Sequence, residues 1–433
     1  MTQQKQAQSY LVPFIIMVVL MSLVGLITNL NGQFQAPMKA AFLLMAGAQT
    51  NTLTTLLTFA FFFGYLAMGV PSAKYIERKG YKQTLIFGLF GLIAAFGLYE
   101  LSAYVFETID IANFQPTIDA ARAAGEGYKY EGAVVIPTAY YIFLVAAFVA
   151  GSALTFLQAV LNPYIVACSV KGTTGVTRQS IAGTGNSSMA TIAPLLVAHV
   201  IFAGKTGLDI QISSLYIPFL VLIVLVGGLI VALTQIHLPT IASAEKKEGE
   251  VLEKSVWSFS HLALGVVAIF MYVGVEVCVG NNINLYAENK GLSNPALLAT
   301  LYWGLMLVGR LCGSFLSSIS ASKQLAFTSA VAGILVLVAM VLDNPYFLIG
   351  AGLFHSIMWG AIFALAIDKL GKYTTAGSGA LMMGIVGGAI LPLLQGFLAD
   401  SFHGWQWTWA IVVIGEAYLL YYALIGHKVK QLP

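Results

Sequence analysis

Charge is what this chain has least of. Only 9% of its 433 residues are Asp, Glu, Lys or Arg, while 58% are hydrophobic. A water-soluble domain carries roughly 25% charged residues, so a soluble fold of this length would lack the charge to cover its surface. Cysteine is scarce too. The three present, Cys168, Cys278 and Cys312, lie in or beside apolar runs without metal-ligand spacing and read as buried thiols. There is no HExxH, no Gly-x-Ser-x-Gly serving a nucleophile and no Walker A motif. Enzyme chemistry, a resident metal, an organic cofactor and ATP-driven pumping are therefore not expected, nor is a nucleic-acid partner. No cleavable leader is expected either. The short polar tail MTQQKQAQS runs into an apolar stretch too long for a leader's core, which reads as a retained first span.

What the chain has instead is long apolar runs, at a mean hydropathy of +0.84. A helix needs ~20 mostly apolar residues to cross a bilayer. Twelve such segments start near Tyr10, Thr52, Gln83, Val135, Gln179, Leu215, Val256, Asn294, Gln324, Asn344, Gly377 and Gln406. The expected class is an all-α, multi-pass membrane protein in a lipid bilayer. With the N-terminus placed in the cytoplasm, fifteen of the 21 Lys and Arg fall on cytoplasmic segments and five on outer ones. That bias predicts both termini in the cytoplasm. Residues 107–134 are expected to form a polar outer loop. Residues 239–255, with SAEKKEGEVLEK, are expected to be a charged linker between two six-span halves, 1–238 and 256–433.

The halves echo each other. Gly64, Gly69 and Ala73 of the second span recur as Gly304, Gly309 and Gly313 of the eighth, and ATIAPLL (Pro194) recurs as GGAILPLL (Pro392). Small residues at this spacing let helices approach closely, and two similar halves predict a central cavity open to alternate sides. The loop after the second span reads Glu77-Arg78-Lys79-Gly80-Tyr81-Lys82. It is similar to the [DE]-R-x-G-x-[RK] signature of the major facilitator superfamily, whose fold of twelve transmembrane helices in two pseudo-symmetric halves is the expectation here. Glu77 and Arg78, with Arg310 near the end of the eighth span, are candidates for a cytoplasmic gate. The second copy of the motif has Ser317 at its acidic position, so the latch is expected on one side.

Ionisable groups inside a membrane are costly and mark function. Glu276 lies midway in the seventh span, inside YVGVEVCVGNNINLY, with Asn281 and Asn282 behind it. Glu100 and Glu416 lie in the third and twelfth spans, and His199 and His355 in the fifth and tenth. Neutral amides gather in the first span (Asn29, Asn31), the fourth (Gln158, Asn162) and the fifth (Asn186). Gln158 and Asn162 are four residues apart and share a helix face. Amides both donate and accept, as sugar hydroxyls do, and aromatics such as Trp303, Phe354 and Trp359 can stack on a pyranose. No Arg or Lys lies deep in a span, which argues against anionic substrates. The same amides could instead join helix to helix.

The chain resembles the fucose–galactose–glucose proton symporter family of that superfamily. The resemblance is carried by NLN in span one, LQAVLNPY in span four, Arg178 to Ser187 in span five, YVGVEV in span seven, GRLCGSFL in span eight, and the stretches SIMWGAIFALAIDKLGK and SGALMMGIVGGAILP. It implies a monomeric secondary transporter of a neutral monosaccharide in a bacterial cytoplasmic membrane, coupled to H⁺ or Na⁺. An uncoupled facilitator and a non-transporting sugar sensor are the alternatives. The substrate-binding set it implies is Asn29, Asn31, Gln158, Asn162, Asn186, Glu276, Asn281, Asn282, His355 and Trp359. Two carboxylates that the fucose permease pattern uses, after NLN and four residues before the N-P of span four, are here Gly32 and Gln158. Neither titrates. Glu276 is therefore the expected coupling group, as a proton carrier or, with the neighbouring amides, as a Na⁺ ligand.

Overall fold

The computed structural model describes residues 10–124, 131–168, 170–173, 175–205, 207–236, 238, 254–313 and 319–429. Ser317 and all but the last two residues of the expected linker 239–255 lie outside the described residues. The chain forms two compact units, Met1–Ser243 and Ala244–Pro433.

In the first unit, α1 (Leu11–Gln33) and α2 (Gln35–Phe42) run on as one span. Helix α3 (Thr50–Val105) has 56 residues. At 1.5 Å per residue that is about 84 Å, more than twice the hydrocarbon thickness of about 30 Å. It is two spans, broken at Gly80, where φ is 77° and ψ 174°. A side chain rarely adopts that φ, so the glycine of the signature loop makes the turn there. Past the break, Thr84 Oγ1 donates to the Gly80 carbonyl at 2.8 Å. Helices α5 (Thr138–Ala167), α6 (Gly175–Leu195, extended by a wide turn over Leu196–Ile201) and α7 (Tyr216–Gln235) supply spans four to six. The outward face of α7 is apolar, with Ile217 76% and Val224 68% exposed, as a surface solvated by lipid tails should be.

The second unit holds α8 (Ser260–Asn289), α9 (Pro295–Gly313), α10 (Ala321–Val341), the pair α11 (Tyr346–His355) and α12 (Met358–Ala366), then α13 (Thr374–Met383), α14 (Gly387–Ser401) and α15 (Ala410–Tyr421). The α11–α12 pair is bent by 41° and forms one broken span. Among the described residues, nine helical stretches are long and apolar enough to span, and the bent pair makes a tenth. Dividing α3 at Gly80 and adding α6, whose polar face lowers its hydropathy, gives twelve.

Glycine contacts repeat the internal echo in three dimensions. A Cβ at Gly151 of span four would overlap the Phe61 carbonyl of span two, and one at Gly352 of span ten would overlap the Tyr302 carbonyl of span eight. Likewise, Gly25 of span one meets the backbone of Asn186 in span five, and Gly387 of span eleven meets that of Phe270 in span seven. In both units the first and fifth helices, and the second and fourth, touch backbone to backbone.

The segment expected as an outer loop is largely helix. After a wide turn at Phe106–Asp110, α4 covers Ile111–Ala124. Its apolar positions Ile111, Phe114, Ile118 and Ala121 recur at helical spacing and pack on Leu44, Met45 and Val135. Asp110 is buried and accepts from the main-chain N–H groups of Thr138 (3.1 Å) and Ala139 (2.9 Å). A carboxylate there satisfies two orphan donors at the N-terminus of α5.

Candidate functional site

In the second unit the ionisable side chains converge from four spans. Glu276 sits on α8 with its side chain 15% exposed, and the Arg310 guanidinium of α9 lies 3.8 Å from its Oε1. Tyr302, two turns before Arg310, directs its hydroxyl toward the Glu276 main-chain carbonyl (3.3 Å) and the His355 Nδ1 (2.7 Å). His355 Nε2 lies 2.7 Å from Glu416 Oε1 on α15. The side chains of His355 and Glu416 are 0% and 1% exposed. His355 ends α11 at the helix break, where its carbonyl accepts from the Tyr272 hydroxyl of α8 at 3.1 Å. Thus α8, α9, α11 and α15 are tied by one polar chain. It is open at Glu276 and Arg310 and closed at His355 and Glu416.

Aromatic rings surround the open end. Trp303 packs over Gly280, where a side chain on α8 would collide with the indole. Trp359 is half-buried with its ring 6.2 Å from that of Tyr272. Asn281 is buried on the same helix as Glu276.

Several sequence expectations change here. Arg310, a gate candidate, carries its guanidinium to 3.8 Å from Glu276 Oε1, so a cation does lie inside a span. His355 is no sugar-facing imidazole, since both ring nitrogens are engaged and no surface is exposed. Asn282 is 0% exposed and donates to Gln395 Oε1 of α14 at 2.9 Å. Gln395 Nε2 donates in turn to Thr408 Oγ1 at 3.2 Å. Asn282 therefore joins helices. His199 lies exposed in the turn after α6.

The amides of the first unit divide the same way. Asn186 Nδ2 donates to the Met21 carbonyl at 3.1 Å, where α6 crosses α1 at Gly25; that amide locks the crossing. Asn29 donates to the Gly25 carbonyl of its own helix at 2.9 Å, and Asn31 Oδ1 accepts from Tyr99 at 3.2 Å. Gln158 is half-buried and donates to the Tyr65 hydroxyl at 3.1 Å, while Asn162 is exposed.

In the signature loop, Glu77 and Arg78 are exposed beside Gly80. Lys82 Nζ donates to the Thr234 and Ile236 carbonyls, both at 2.9 Å, and so caps the C-terminal end of α7. Arg178 acts similarly. Buried at the start of α6, it donates to the Ile165 (2.9 Å) and Val166 (2.6 Å) carbonyls that end α5, and to Thr173. These basic residues satisfy the orphan carbonyls of helix C-termini and complement their dipoles.

Sequence reasoning missed the tyrosines. Tyr272 precedes Glu276 by four residues and faces its carboxylate, as i, i+4 spacing requires. Tyr302, Met306 and Arg310 repeat at four and mark one face of α9. Those signals were present. The partnership of His355 with Glu416 had none.

Twelve spans in two echoing units, with ionisable groups gathered inside the spans, define a secondary transporter of the major facilitator superfamily. No family model matches the chain. Among curated proteins, it is 32% identical over 419 residues to a glucose/galactose transporter of Brucella abortus biovar 1 (strain 9-941), covering 93% of this chain and 91% of that one. It is 27% identical over 428 residues to the L-fucose-proton symporter of Escherichia coli (strain K12), covering 92% and 89%. A crystal structure of a variant of the E. coli fucose:proton symporter superposes with a TM-score of 0.65 at 22% identity, covering 96% of this chain and 98% of that chain. The chain belongs to the fucose/galactose/glucose proton symporter family.

Proposed function

We propose that this protein carries a neutral monosaccharide, a hexose or deoxyhexose, across the membrane together with a proton by alternating access. The observation that carries the reading is the Glu276–Arg310 pair, partly exposed within an aromatic shell. Its two charges cancel, so the site offers no net attraction to a sugar phosphate or a sugar acid. A carboxylate accepts from sugar hydroxyls and a guanidinium donates to them. Trp359 and Trp303 supply apolar faces for a ring. The named substrates of the relatives, glucose, galactose and fucose, are neutral and fit that chemistry.

In this reading the sugar-facing residues of the second unit are Glu276, Asn281 and Trp359, those of the first unit, taken by itself, are Gln158, Asn162, Asn29 and Asn31, and Glu276 links sugar binding to the proton. The protein works as a monomer in a bacterial cytoplasmic membrane, with both termini in the cytoplasm as the distribution of Lys and Arg supports. Glu77 and Arg78 serve the cytoplasmic gate.

Uptake of labelled glucose, galactose and fucose into proteoliposomes tests the reading. An imposed proton gradient is expected to drive accumulation and a Na⁺ gradient is not. Glu276→Gln is expected to raise the sugar KM at least tenfold. Sugar equilibration without accumulation under either gradient would make the protein a facilitator, and binding without entry would make it a sensor.

A further inference from the structure

The proton-titrating carboxylates of the fucose permease pattern are absent at Gly32 and Gln158, yet the second unit buries a carboxylate and an imidazole that sugar binding does not use. Glu416 Oε1 lies 2.7 Å from His355 Nε2. Its other oxygen is buried and meets no donor among the described residues. An ionised carboxylate in such surroundings is costly unless its charge is matched. From α10 the group facing Glu416 is Gly333, which brings neither charge nor hydrogen bond. From α8 and α9 the groups around His355 are Tyr272, Tyr302 and Glu276, with Arg310 paired to Glu276. A proton on the Glu416–His355 dyad makes it neutral overall, and its loss leaves one net negative charge.

Tyr302 reads that difference. If the proton rests on the imidazole, both ring nitrogens carry hydrogen. If it rests on Glu416, the carboxylic acid donates to Nε2 and the neutral ring carries its hydrogen on Nδ1. Either way Nδ1–H donates to Tyr302 Oη at 2.7 Å, and the tyrosine hydrogen turns to the Glu276 carbonyl at 3.3 Å. Without the proton, Nε2–H donates to the Glu416 carboxylate and Nδ1 becomes an acceptor. The tyrosine hydrogen then turns to Nδ1, and the Glu276 carbonyl loses its donor. Two proton-bound forms give one hydroxyl orientation, and the proton-free form gives the other.

We propose that Glu416 and His355 together hold the coupled proton, and that the Tyr302 hydroxyl transmits its presence to the α8 backbone at Glu276. This inference rests on the proton-symport reading above and moves the proton from Glu276 to a buried dyad. Tyr302 acts as a positioning residue: it binds no transported species and relays the state of the dyad.

The test compares gradient-driven accumulation with sugar exchange in proteoliposomes, and follows sugar affinity against pH. In Glu416→Gln the ratio of accumulation to exchange is expected to fall at least tenfold, with the pH dependence of sugar affinity flattened. Tyr302→Phe keeps both members of the dyad and is expected to flatten the same pH profile, an effect that a purely structural tyrosine would not produce. Wild-type ratios and pH profiles in both variants would overturn the inference. If Glu416→Gln does not fold, Tyr302→Phe decides alone, and an unchanged profile overturns it. Wild-type accumulation that ignores an imposed proton gradient overturns the symport reading and the dyad with it, whereas equal gradient-driven accumulation in wild type and variants overturns the dyad alone.

Discussion

Asn282 separates a sugar ligand from a helix clasp. Its amide donates to Gln395 Oε1 at 2.9 Å, Gln395 donates to Thr408 at 3.2 Å, and the Thr408 hydroxyl donates to the Trp405 carbonyl at 2.7 Å. Asn282, Gln395 and Thr408 are all fully buried. Asn282→Ala removes one interhelical hydrogen bond, worth about 0.6 and at most about 1.7 kcal/mol in membrane proteins. It also strands Gln395 Oε1, which costs about 1–3 kcal/mol. The two figures overlap, because much of the measured loss is the stranding. We therefore expect a destabilisation of about 1–3 kcal/mol and a fall of a few degrees in the midpoint of thermal unfolding in detergent, with sugar Kd changed by less than about twofold. Replacing both partners, as Asn282→Leu with Gln395→Met, is expected to recover most of the loss, since two apolar groups leave nothing stranded. The reasoning is refuted if Asn282→Ala melts like wild type and weakens sugar binding tenfold.

Two further perturbations follow from the same contacts. Arg178 donates four hydrogen bonds to the end of α5 and the turn after it, so Arg178→Ala should lower thermal stability by about 3 kcal/mol and Arg178→Lys by less, because an ammonium cannot reproduce the planar fork. At the edge of the second unit, burial pushes the Asp343 carboxyl up. Hydrogen bonds from Lys290 (2.5 Å) and Tyr286 (2.7 Å) outweigh it and hold the group below the usual carboxylate range. A depressed folded pKa contributes stability that is complete above the unfolded value of about 3.9 and is lost as pH falls through the folded pKa. Melting curves between pH 3 and 7 should show acid destabilisation in the wild type that is smaller in Asp343→Asn.

The legibility of this chain in its sequence has a clear boundary. The Gly80 turn, the bias of Lys and Arg, the Gly-rich repeat and the apolar runs are local patterns, and each could be read from neighbours within one or two turns. The helix Ile111–Ala124 was equally local, with apolar residues at 111, 114, 118 and 121, yet the acidic, Gly- and Ala-containing stretch around it made it pass for a polar loop. The site was legible only in part. Glu276 announced itself as the lone carboxylate amid Val and Gly. Arg310 did not, because position along a helix gives the height of Cα and not the reach of a long side chain.

The sequence by itself determined the solvent, the span count and the two-fold echo, because hydropathy and small-residue spacing are properties of single helices. Tertiary structure decided which polar groups meet. His355 and Glu416 are 61 residues apart, and Asn282 and Gln395 are 113 apart. A helix fixes which of its own residues share a face. Its rotation about its axis, and so the partner each face meets, is set by close backbone contacts such as those at Gly25, Gly151, Gly352 and Gly387. Those contacts turned two of the expected sugar-binding amides into helix joints and joined two residues whose pairing had no sequence signal into a buried dyad.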